Sequence, residues 1–369
     1  MKVICNSLEL SEACQNVSRA ASTKTAIPAI EGILMVAKDG TLTLTGYDLE
    51  MGIKTVIAAR VEEEGELVIN AHMFSETLRK LPESTVSIDS DSRHIASITS
   101  GEFESTLIGI SAEEYPELPS VSGGYQVSVD ENILKDMVRK TIFSAAIKDS
   151  KIVHTGIKFE IEENHLRLIA VDGVRLAIRN ETIEYSGEAL SFVVPAKTLS
   201  EVVKLMNSAE EPVTIEVGKR HIIFAVNGYS VISRLLDGEF LNYKAAIPST
   251  TKTVINVDTR SLIDSIDRTS LIITDKIKSP VKCVFGDGLI KISSITSLGT
   301  ANDKIPAKIE GEGCTIGFNN KYMLDALKVC DTDEVRIMLN GAISPILILP
   351  PEGDNFIFLI LPVRLKNEN

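Results

Sequence analysis

The chain repeats itself three times, and this repetition limits its fold more than any other feature of the sequence. Three kinds of segment recur in one order, with a period of about 124 residues. The first kind predicts an amphipathic helix, because its apolar residues recur at the spacing of one helix face. Its copies are SLELSEACQNVSRA (7–20), DENILKDMVRKTIFSA (130–145) and DTRSLIDSIDRTSLI (258–272). In the middle copy, Ser128 and Asp130 are the polar residues expected to start the helix.

The other two kinds of segment follow in register with the first. One is a second amphipathic helix, in INAHMFSETLRKLP (69–82), VPAKTLSEVVKLM (194–206) and FNNKYMLDALKVC (318–330). The other is a turn between strands, in KDGTLTLTGYDLEMGI (38–53), ENHLRLIAVDGVRLAI (163–178) and GDGLIKISSITSLGTA (286–301). Alternating stretches such as 213–217 and 335–339 predict further strands, each half-buried.

Three kinds of segment in register over the whole length indicate a triplicated domain. The Gly/Ser-rich stretch 120–125 and the polar stretch 248–253 are the expected linkers. We therefore predict three tandem α+β domains, at residues 1–124, 125–249 and 250–369. Each should contain two helices and about eight strands, with the helices covering one face of the sheets.

Composition is that of a globular protein, with 44% hydrophobic and 24% charged residues. The longest apolar run, 356–363, is far shorter than the roughly 20 residues of a membrane helix. The N-terminus turns polar by Asn6, unlike a signal peptide. We expect a cytoplasmic protein with no membrane association.

The charge distribution leaves two interpretations open. The chain has 38 basic and 51 acidic residues, a net charge of −13, which is unusual for a nucleic-acid-binding domain. Basic residues nevertheless gather in and after the helices of the second repeat. They are Lys135, Arg139, Lys140, Lys148, Lys151, Lys197 and Lys204. This set is either a solvated helix surface or a weak electrostatic track for a phosphate backbone.

No catalytic or cofactor motif is found in the sequence. There is no GxxxxGK[ST] loop for a nucleotide, no GxSxG nucleophile turn and no HExxH zinc motif. The five cysteines are scattered and lack a CxxC pair, so we expect buried thiols rather than a disulfide framework or a zinc site. We predict no metal and no cofactor. A binding or scaffolding role is favoured, and the alternative is a repeat-built enzyme or metabolite-binding protein with an unrecognised site.

Three segments are apolar where solvent contact would be expected. They are the C-terminal run 356–363 closed by Arg364 and Leu365, the turn 171–176, and residues 241–248 at the second domain junction. Each is either a buried strand or part of a shared apolar groove that accepts a partner's peptide.

At these residues the chain resembles the bacterial DNA polymerase III beta subunit, the processivity sliding clamp, over its whole length. The likeness is carried by LTGYDLEMGI (44–53), EEYPELP (113–119), AVDGVRLA (170–177), DGEFLNYKAAIP (237–248) and LPVRL (361–365). The resemblance implies a head-to-tail homodimer that forms a six-domain ring around duplex DNA, with helices lining the hole. It also implies a non-enzymatic role: tethering the replicative DNA polymerase and other partners to DNA after loading by a clamp loader.

The resemblance also implies a pocket for the short clamp-binding peptide of such partners, in which glutamine is typically followed by leucine and phenylalanine. In this chain the matching positions are His154, Val171, Gly173, Val174, Arg175, Leu176, Leu241, Ala245, Ala246, Ile343, Pro345, Leu359, Leu361, Pro362, Val363, Arg364 and Leu365. Val174 replaces a frequent histidine, Leu241 a frequent proline and Ala245 a frequent basic residue. We therefore expect a more apolar pocket than is usual in the family.

Two further sets of residues are implied in the same way. The DNA-contacting positions match Lys24, Arg79, Lys80, Lys148, Lys151 and Lys197. The dimer interface matches an edge strand near 103–110, which contains Leu107, and the segment around Ile272 and Ile273, whose apolar run 271–273 we expect to form the opposing edge. Ser105 stands where the family has an aromatic residue, and His72 and Met73 where an arginine is common.

Overall fold

The fold was analysed in a computed structural model, which describes residues 1–23, 25–207, 211–274, 277 and 279–365. Within these ranges every repeat contains two helices, as the apolar periodicity predicts. They are α1 (Ser7–Ser18), α2 (Ala71–Leu78), α3 (Glu131–Ile142), α4 (Ala196–Leu205), α5 (Thr259–Thr269) and α6 (Asn320–Leu327). None of these six has the length and apolar character that crossing a membrane requires.

Each repeat also contributes eight or nine strands among the described residues. The first repeat has β1 (Lys2–Asn6), β2 (Gly32–Lys38), β3 (Thr41–Tyr47), β4 (Met51–Ala58), β5 (Arg60–Glu63), β6 (Gly65–Asn70), β7 (Thr85–Ser90), β8 (Ile95–Ser100) and β9 (Phe103–Ile108). The second has β10 (Tyr125–Val129), β11 (Gly156–Glu162), β12 (His165–Val171), β13 (Arg175–Thr182), β14 (Leu190–Pro195), β15 (Val213–Val217), β16 (His221–Val226) and β17 (Tyr229–Arg234). The third has β18 (Thr253–Asp258), β19 (Val281–Gly286), β20 (Leu289–Thr296), β21 (Gly299–Pro306), β22 (Lys308–Gly311), β23 (Cys314–Phe318), β24 (Glu334–Leu339), β25 (Ile346–Leu349) and β26 (Phe356–Ile360).

Short polar side chains start most of the helices. Asn6, Asn70, Asp130, Asp258 and Asn319 each accept hydrogen bonds from the free backbone amides of the following first turn. Asp130, for example, accepts from the amides of Asn132 and Ile133 at 2.9 and 3.0 Å. The prediction that Ser128 helps to start α3 is wrong, because that residue lies within β10 and pairs with β15.

Two-residue turns close several of the predicted hairpins. Residues 39–40, 163–164, 227–228 and 287–288 all have positive φ at both positions. This backbone conformation matches the right-handed twist of the flanking strands, and Asn, Asp and Gly adopt it at low cost. Local sequence therefore fixes the pairing of these strands.

The described residues of Met1–Leu134 and Lys197–Leu235 form one compact unit. It contains a five-stranded sheet in the order β5-β1-β7-β8-β9 and an eight-stranded sheet in the order β10-β15-β16-β17-β4-β3-β2-β6. Helix α1 packs against α2, β3 and β4. The eight-stranded sheet joins two repeats, because β4 of the first pairs with β17 of the second.

The described residues of Lys135–Ala196 and Leu236–Asn369 form a second compact unit. Its nine-stranded sheet runs β14-β11-β12-β13-β26-β25-β24-β18-β22, and its four-stranded sheet runs β21-β20-β19-β23. Here β13 of the second repeat pairs with β26 of the third. Successive residues of β26 point to opposite faces, so Phe358 and Ile360 enter the main core while Leu359 joins a smaller apolar cluster on the other face.

Candidate functional site

The predicted pocket residues all belong to the second compact unit, and a row of buried aliphatic side chains connects several of them. Val171 of β12 lies opposite Leu176 of β13, which lies opposite Leu359 of β26, which lies opposite Leu347 of β25. All four side chains belong to the smaller cluster and are at most 5% exposed. The sheet therefore supplies an apolar floor.

The junction segment 241–248 is fixed on this floor by Tyr243. Its ring packs into the same cluster, and its hydroxyl donates to Glu160 Oε2 at 2.7 Å. Arg167 Nη1 donates to the tyrosine oxygen at 3.2 Å. Burial and the bond to Glu160 raise the pKa of Tyr243 to about 12, so the phenol stays protonated at neutral pH. The neighbouring pocket residues Leu241, Ala245 and Ala246 are exposed.

Three chain segments meet at one end of the floor. In the register of the sheet Arg175 lies opposite Ile360, and Ile360 lies opposite Ile346. The turn before Arg175, the tail after Ile360 and the loop before Ile346 must therefore be neighbours. These segments contain the pocket residues Gly173 and Val174, Leu361 to Leu365, and Ile343 and Pro345.

The C-terminal tail is held at this end of the sheet by backbone hydrogen bonds. The amide of Leu361 donates to the carbonyl of Val174 at 2.9 Å, and the amide of Val363 donates to the carbonyl of Gly317 at 2.8 Å. Gly317 permits this close approach, because a Cβ there would lie 2.7 Å from both Leu365 Cδ2 and the carbonyl oxygen of Val363. The tail is thus an ordered wall up to Leu365; Lys366 to Asn369 lie outside the described residues.

Five apolar pocket side chains remain open to solvent around the floor. Val174, Leu241, Leu361 and Val363 are each about two-fifths exposed, and Ile343 is 86% exposed. Apolar side chains grouped in this way on one surface are typical of a site that binds another molecule. The arrangement can bury aliphatic or aromatic side chains and provides little charge.

Arg175 serves a different purpose from its neighbours. Its side chain is 11% exposed; Nε donates to Asp172 Oδ2 at 2.8 Å and Nη1 donates to Asp325 Oδ2 at 2.7 Å. The guanidinium carbon lies 4.5 Å from the centre of the Tyr322 ring. These contacts brace the turn at Gly173 against α6. Of the two arginines in the predicted pocket, only Arg364 is exposed.

His154 links the pocket to a loop that carries two predicted DNA contacts. Its ring meets the Phe240 ring edge-on, with centroids 5.7 Å apart, and its Nδ1 lies 3.1 Å from Asp149 Oδ2. The backbone amide of Lys151 and the His154 ring hold the pKa of Asp149 below its ordinary value. Lys148 and Lys151 themselves are exposed and form no ion pair within the part of the chain that is described.

Two of the other predicted DNA-contacting residues already form ion pairs within the chain. Arg79, at the C-terminal end of α2, pairs with Glu76 at 2.7 Å, and Lys197 pairs with Asp48 at 2.6 Å. Lys80 is exposed. Lys24 lies outside the described residues.

The basic set of the second repeat contains fewer exposed residues than the sequence indicates. Lys140 is only 3% exposed, because its Nζ donates to both oxygens of Asp331 at 2.9 Å and lies 3.0 Å from Asp136 Oδ1. Arg139 and Arg179 also pair with Asp136. Sequence reasoning missed this ionic cluster, although the spacing of Asp136 and Lys140, four residues apart on one helix, gave a signal for part of it.

One strand of the predicted dimer interface, β9, lies at a sheet edge. β9, which contains Leu107, ends the five-stranded sheet, and β21 ends the four-stranded sheet. The expectation that residues 271–273 form an edge strand is wrong. They form the turn that follows α5, with Leu271 81% exposed, while Ile273 packs against the main core. Helix α5 packs on β21, so this turn follows a helix that lies against the edge strand.

Comparison with known proteins identifies, over nearly the whole chain, the family that the sequence resembles. Sequence models of the DNA polymerase III beta subunit match residues 1–119 as its N-terminal domain, 128–242 as its central domain and 244–364 as its C-terminal domain. The beta sliding clamp of Bacillus subtilis strain 168 is 34% identical, over 99% of this chain and 100% of its own length. That of Halalkalibacterium halodurans is 33% identical, over 95% of this chain and 96% of its own.

Solved structures agree with the sequence relatives. The DNA polymerase sliding clamp of Bacillus subtilis has a TM-score of 0.96 at 34% identity, and the DNA polymerase III beta subunit of Thermotoga maritima has 0.91 at 30%. In both cases 99% of this chain and 100% of the other are covered. With three tandem copies of one helix-and-sheet unit and these relatives, the chain belongs to the DNA polymerase III beta subunit family.

Proposed function

We propose that two copies of this chain close head to tail into a ring around duplex DNA and tether the replicative DNA polymerase to it. The function is that of a sliding clamp, as in the relatives, and it is an accessory role rather than a catalytic one. These relatives leave no support for the alternative of a repeat-built enzyme. We assign this activity to the cytoplasm, and place the domain boundaries near 124 and 249.

One observation supports the proposed ring more than any other: the two internal junctions between repeats have the same strand pairing. β4, β13 and β21 are equivalent strands of eight residues that begin at equal spacing, at Met51, Arg175 and Gly299. β9, β17 and β26 are each the last strand of a repeat. β4 pairs with β17, and β13 pairs with β26. The remaining members of the two sets, β21 and β9, lie at sheet edges.

The register of the two junctions is also the same. The fifth residue of β4, Thr55, lies opposite the first residue of β17. The fifth residue of β13, Arg179, likewise lies opposite the first residue of β26. Applied to a third junction, this rule pairs Asp303 of one copy with Phe103 of the other. Ser105 then lies opposite Ala301, and Leu107 opposite Gly299. A second copy repeats the contact in the other direction, so two copies close a ring of six domains.

Cross-linking at this register tests the ring. Residues directly opposite on antiparallel strands have Cα atoms about 4.5–5.5 Å apart, a distance that a disulfide can span. We expect Ser105→Cys combined with Ala301→Cys to give covalent dimers under mild oxidation. Ser105→Cys with Lys304→Cys is the matched control, since Lys304 is displaced by about 10 Å along the strand. Burial raises the pKa of Cys5 to about 11 and of Cys14 and Cys330 to about 12, which keeps these native thiols unreactive.

Two results would overturn the proposed pairing. One is equal cross-linking of both cysteine pairs, and the other is a light-scattering mass of one chain, 40.1 kDa, for the unmodified protein. A dimer that cross-links only through the control pair would instead place the two edges in another register.

DNA contact in such a ring is weak and independent of sequence, because the closed ring itself prevents dissociation from the duplex. Few phosphates are neutralised at once, so affinity for a short linear duplex should fall with rising salt. Retention on circular DNA should require a clamp loader driven by ATP. The exposed lysines Lys148 and Lys151 are the best-placed contacts, while Arg79 and Lys197 must first exchange a carboxylate partner for phosphate.

The partner groove accounts for the apolar surface around Val171, Leu176 and Leu359. We propose that it binds a short segment of the polymerase and of other DNA-processing proteins. Burial of one or two large apolar side chains contributes about 1.5–3 kcal/mol each. Ordering a flexible peptide offsets part of this, so we expect micromolar affinity, about −8 kcal/mol.

A further inference from the structure

Ile147 is the most exposed of the large apolar side chains among the described residues, at 96%. Ile152, in the same loop, is 58% exposed. An isoleucine displayed this fully forgoes the free energy that burial would provide. Packing within the chain therefore does not explain why an isoleucine stands at this position of the 146–154 loop.

The loop is held in shape by its own hydrogen bonds. The amide of Ala146 donates to the carbonyl of His154 at 2.8 Å, which closes the base of the loop. The amide of His154 donates to the carbonyl of Lys151 at 3.0 Å, and the amide of Lys151 donates to Asp149 Oδ1 at 2.8 Å. The exposure of Ile147 is thus a property of an ordered loop.

The charges around Ile147 indicate what it meets. Lys148 follows it directly and Lys151 lies three residues further on, both exposed and neither in an ion pair within the described part of the chain. An apolar group beside two free cations matches a surface on which apolar sugar rings alternate with phosphates. Such sugar carbons occur in every nucleotide, so contact with them is independent of sequence and permits sliding.

We propose that Ile147 packs against the deoxyribose edge of duplex DNA, while Lys148 and Lys151 contact the flanking phosphates. This inference rests on the proposed function, since it places the 146–154 loop at the DNA that the ring encloses. It adds an apolar, salt-independent contribution to a contact that is otherwise electrostatic.

Salt dependence separates the two contributions. The experiment measures binding of the full-length dimer to a short fluorescent duplex by anisotropy over a series of NaCl concentrations. Ile147→Ser should weaken binding about three- to tenfold at every salt concentration, with an unchanged slope of log affinity against log salt. Lys148→Ala with Lys151→Ala should reduce that slope by about 0.9 for each phosphate that is no longer neutralised. Val56→Ser is the control, because Val56 is an exposed apolar residue outside both the 146–154 loop and the partner groove. This variant should bind the duplex as the unmodified protein does.

Three results would overturn the inference. Ile147→Ser could bind DNA as tightly as the unmodified protein, or it could change the salt slope, which would mean that its effect is electrostatic. It could also leave DNA binding intact and lower the affinity for a partner peptide, which would assign Ile147 to a protein contact. If the unmodified dimer itself fails to bind the duplex at low salt, the DNA contact of the proposed function fails instead.

Discussion

The amide of Leu361 donates a hydrogen bond of 2.9 Å to the carbonyl of Val174, and this bond joins the C-terminal tail to a turn that is distant in sequence. It continues the pairing of β26 with β13 one step beyond the strand. Both residues carry apolar side chains that are about two-fifths exposed. The wall of the proposed partner groove is therefore an extension of the sheet that forms its floor.

Removal of the tail should weaken partner binding at least tenfold without unfolding the protein. Deletion of 361–369 leaves all of β26 in place but removes the exposed side chains of Leu361 and Val363. Fluorescence anisotropy with a peptide that contains glutamine, leucine and phenylalanine should show affinity at least tenfold weaker, since two apolar side chains of the groove are absent. Deletion of 366–369 alone is the control. Unchanged affinity in an intact dimer that lacks 361–369 would place the groove elsewhere.

Arg175→Ala should reduce stability more than it reduces peptide affinity. The side chain is buried and makes charged hydrogen bonds to Asp172 and Asp325, each worth about 1.5–3 kcal/mol. Urea unfolding should give a lower midpoint, with peptide affinity within a few-fold of the unmodified protein. A large drop in affinity at unchanged stability would show that Arg175 contacts the peptide directly.

Charge in the turn after α5 should prevent dimer formation. Ile272→Asp with Ile273→Asp puts two carboxylates in the turn that follows a helix packed on β21, where the second copy is proposed to pair. Light scattering at micromolar concentration should give the mass of a monomer. Circular dichroism should show that the helix content is unchanged. Because Ile273 also packs against the core, circular dichroism has to exclude unfolding. A folded variant that stays dimeric would contradict the proposed interface.

Acid should weaken the ionic cluster of α3. Burial alone would raise the pKa of Asp136, but hydrogen bonds from Arg139, Lys140 and Arg179 outweigh it and hold the pKa below its ordinary value. This contribution to stability is fully present above the unfolded pKa of about 3.9 and is lost as the pH falls through the lower folded value.

Asp136→Asn tests this cluster. The variant should be less stable than the unmodified protein at pH 7, and the difference in urea midpoint should shrink as the pH falls below about 4. Lys135→Ala, on the same helix, is the control because it leaves the cluster intact. A difference that stays constant from pH 7 to pH 3 would show that Asp136 does not act through its charge.

Much of the fold could be predicted from the sequence because its signals are local. The six helices follow from the spacing of apolar residues and from capping side chains such as Asp130, and the hairpins follow from their turn residues. Two expectations about the candidate sites were wrong. Lys140 is hidden by Asp331, almost two hundred residues further along the chain, and residues 271–273 form a turn rather than an edge strand. The pocket residues were predicted from family resemblance alone, because no periodicity connects Val171 with Leu359.

The common register of the two internal junctions has a mechanical consequence for the proposed ring. At each internal junction the paired strands belong to one polypeptide, so a strand that separates stays tethered and re-pairs quickly. The contact of β21 with β9 of a second copy has the same hydrogen-bonding pattern but no tether. Opening should therefore occur only there, and the force that a loader must apply depends on the untethered pairing of β21 with the six residues of β9.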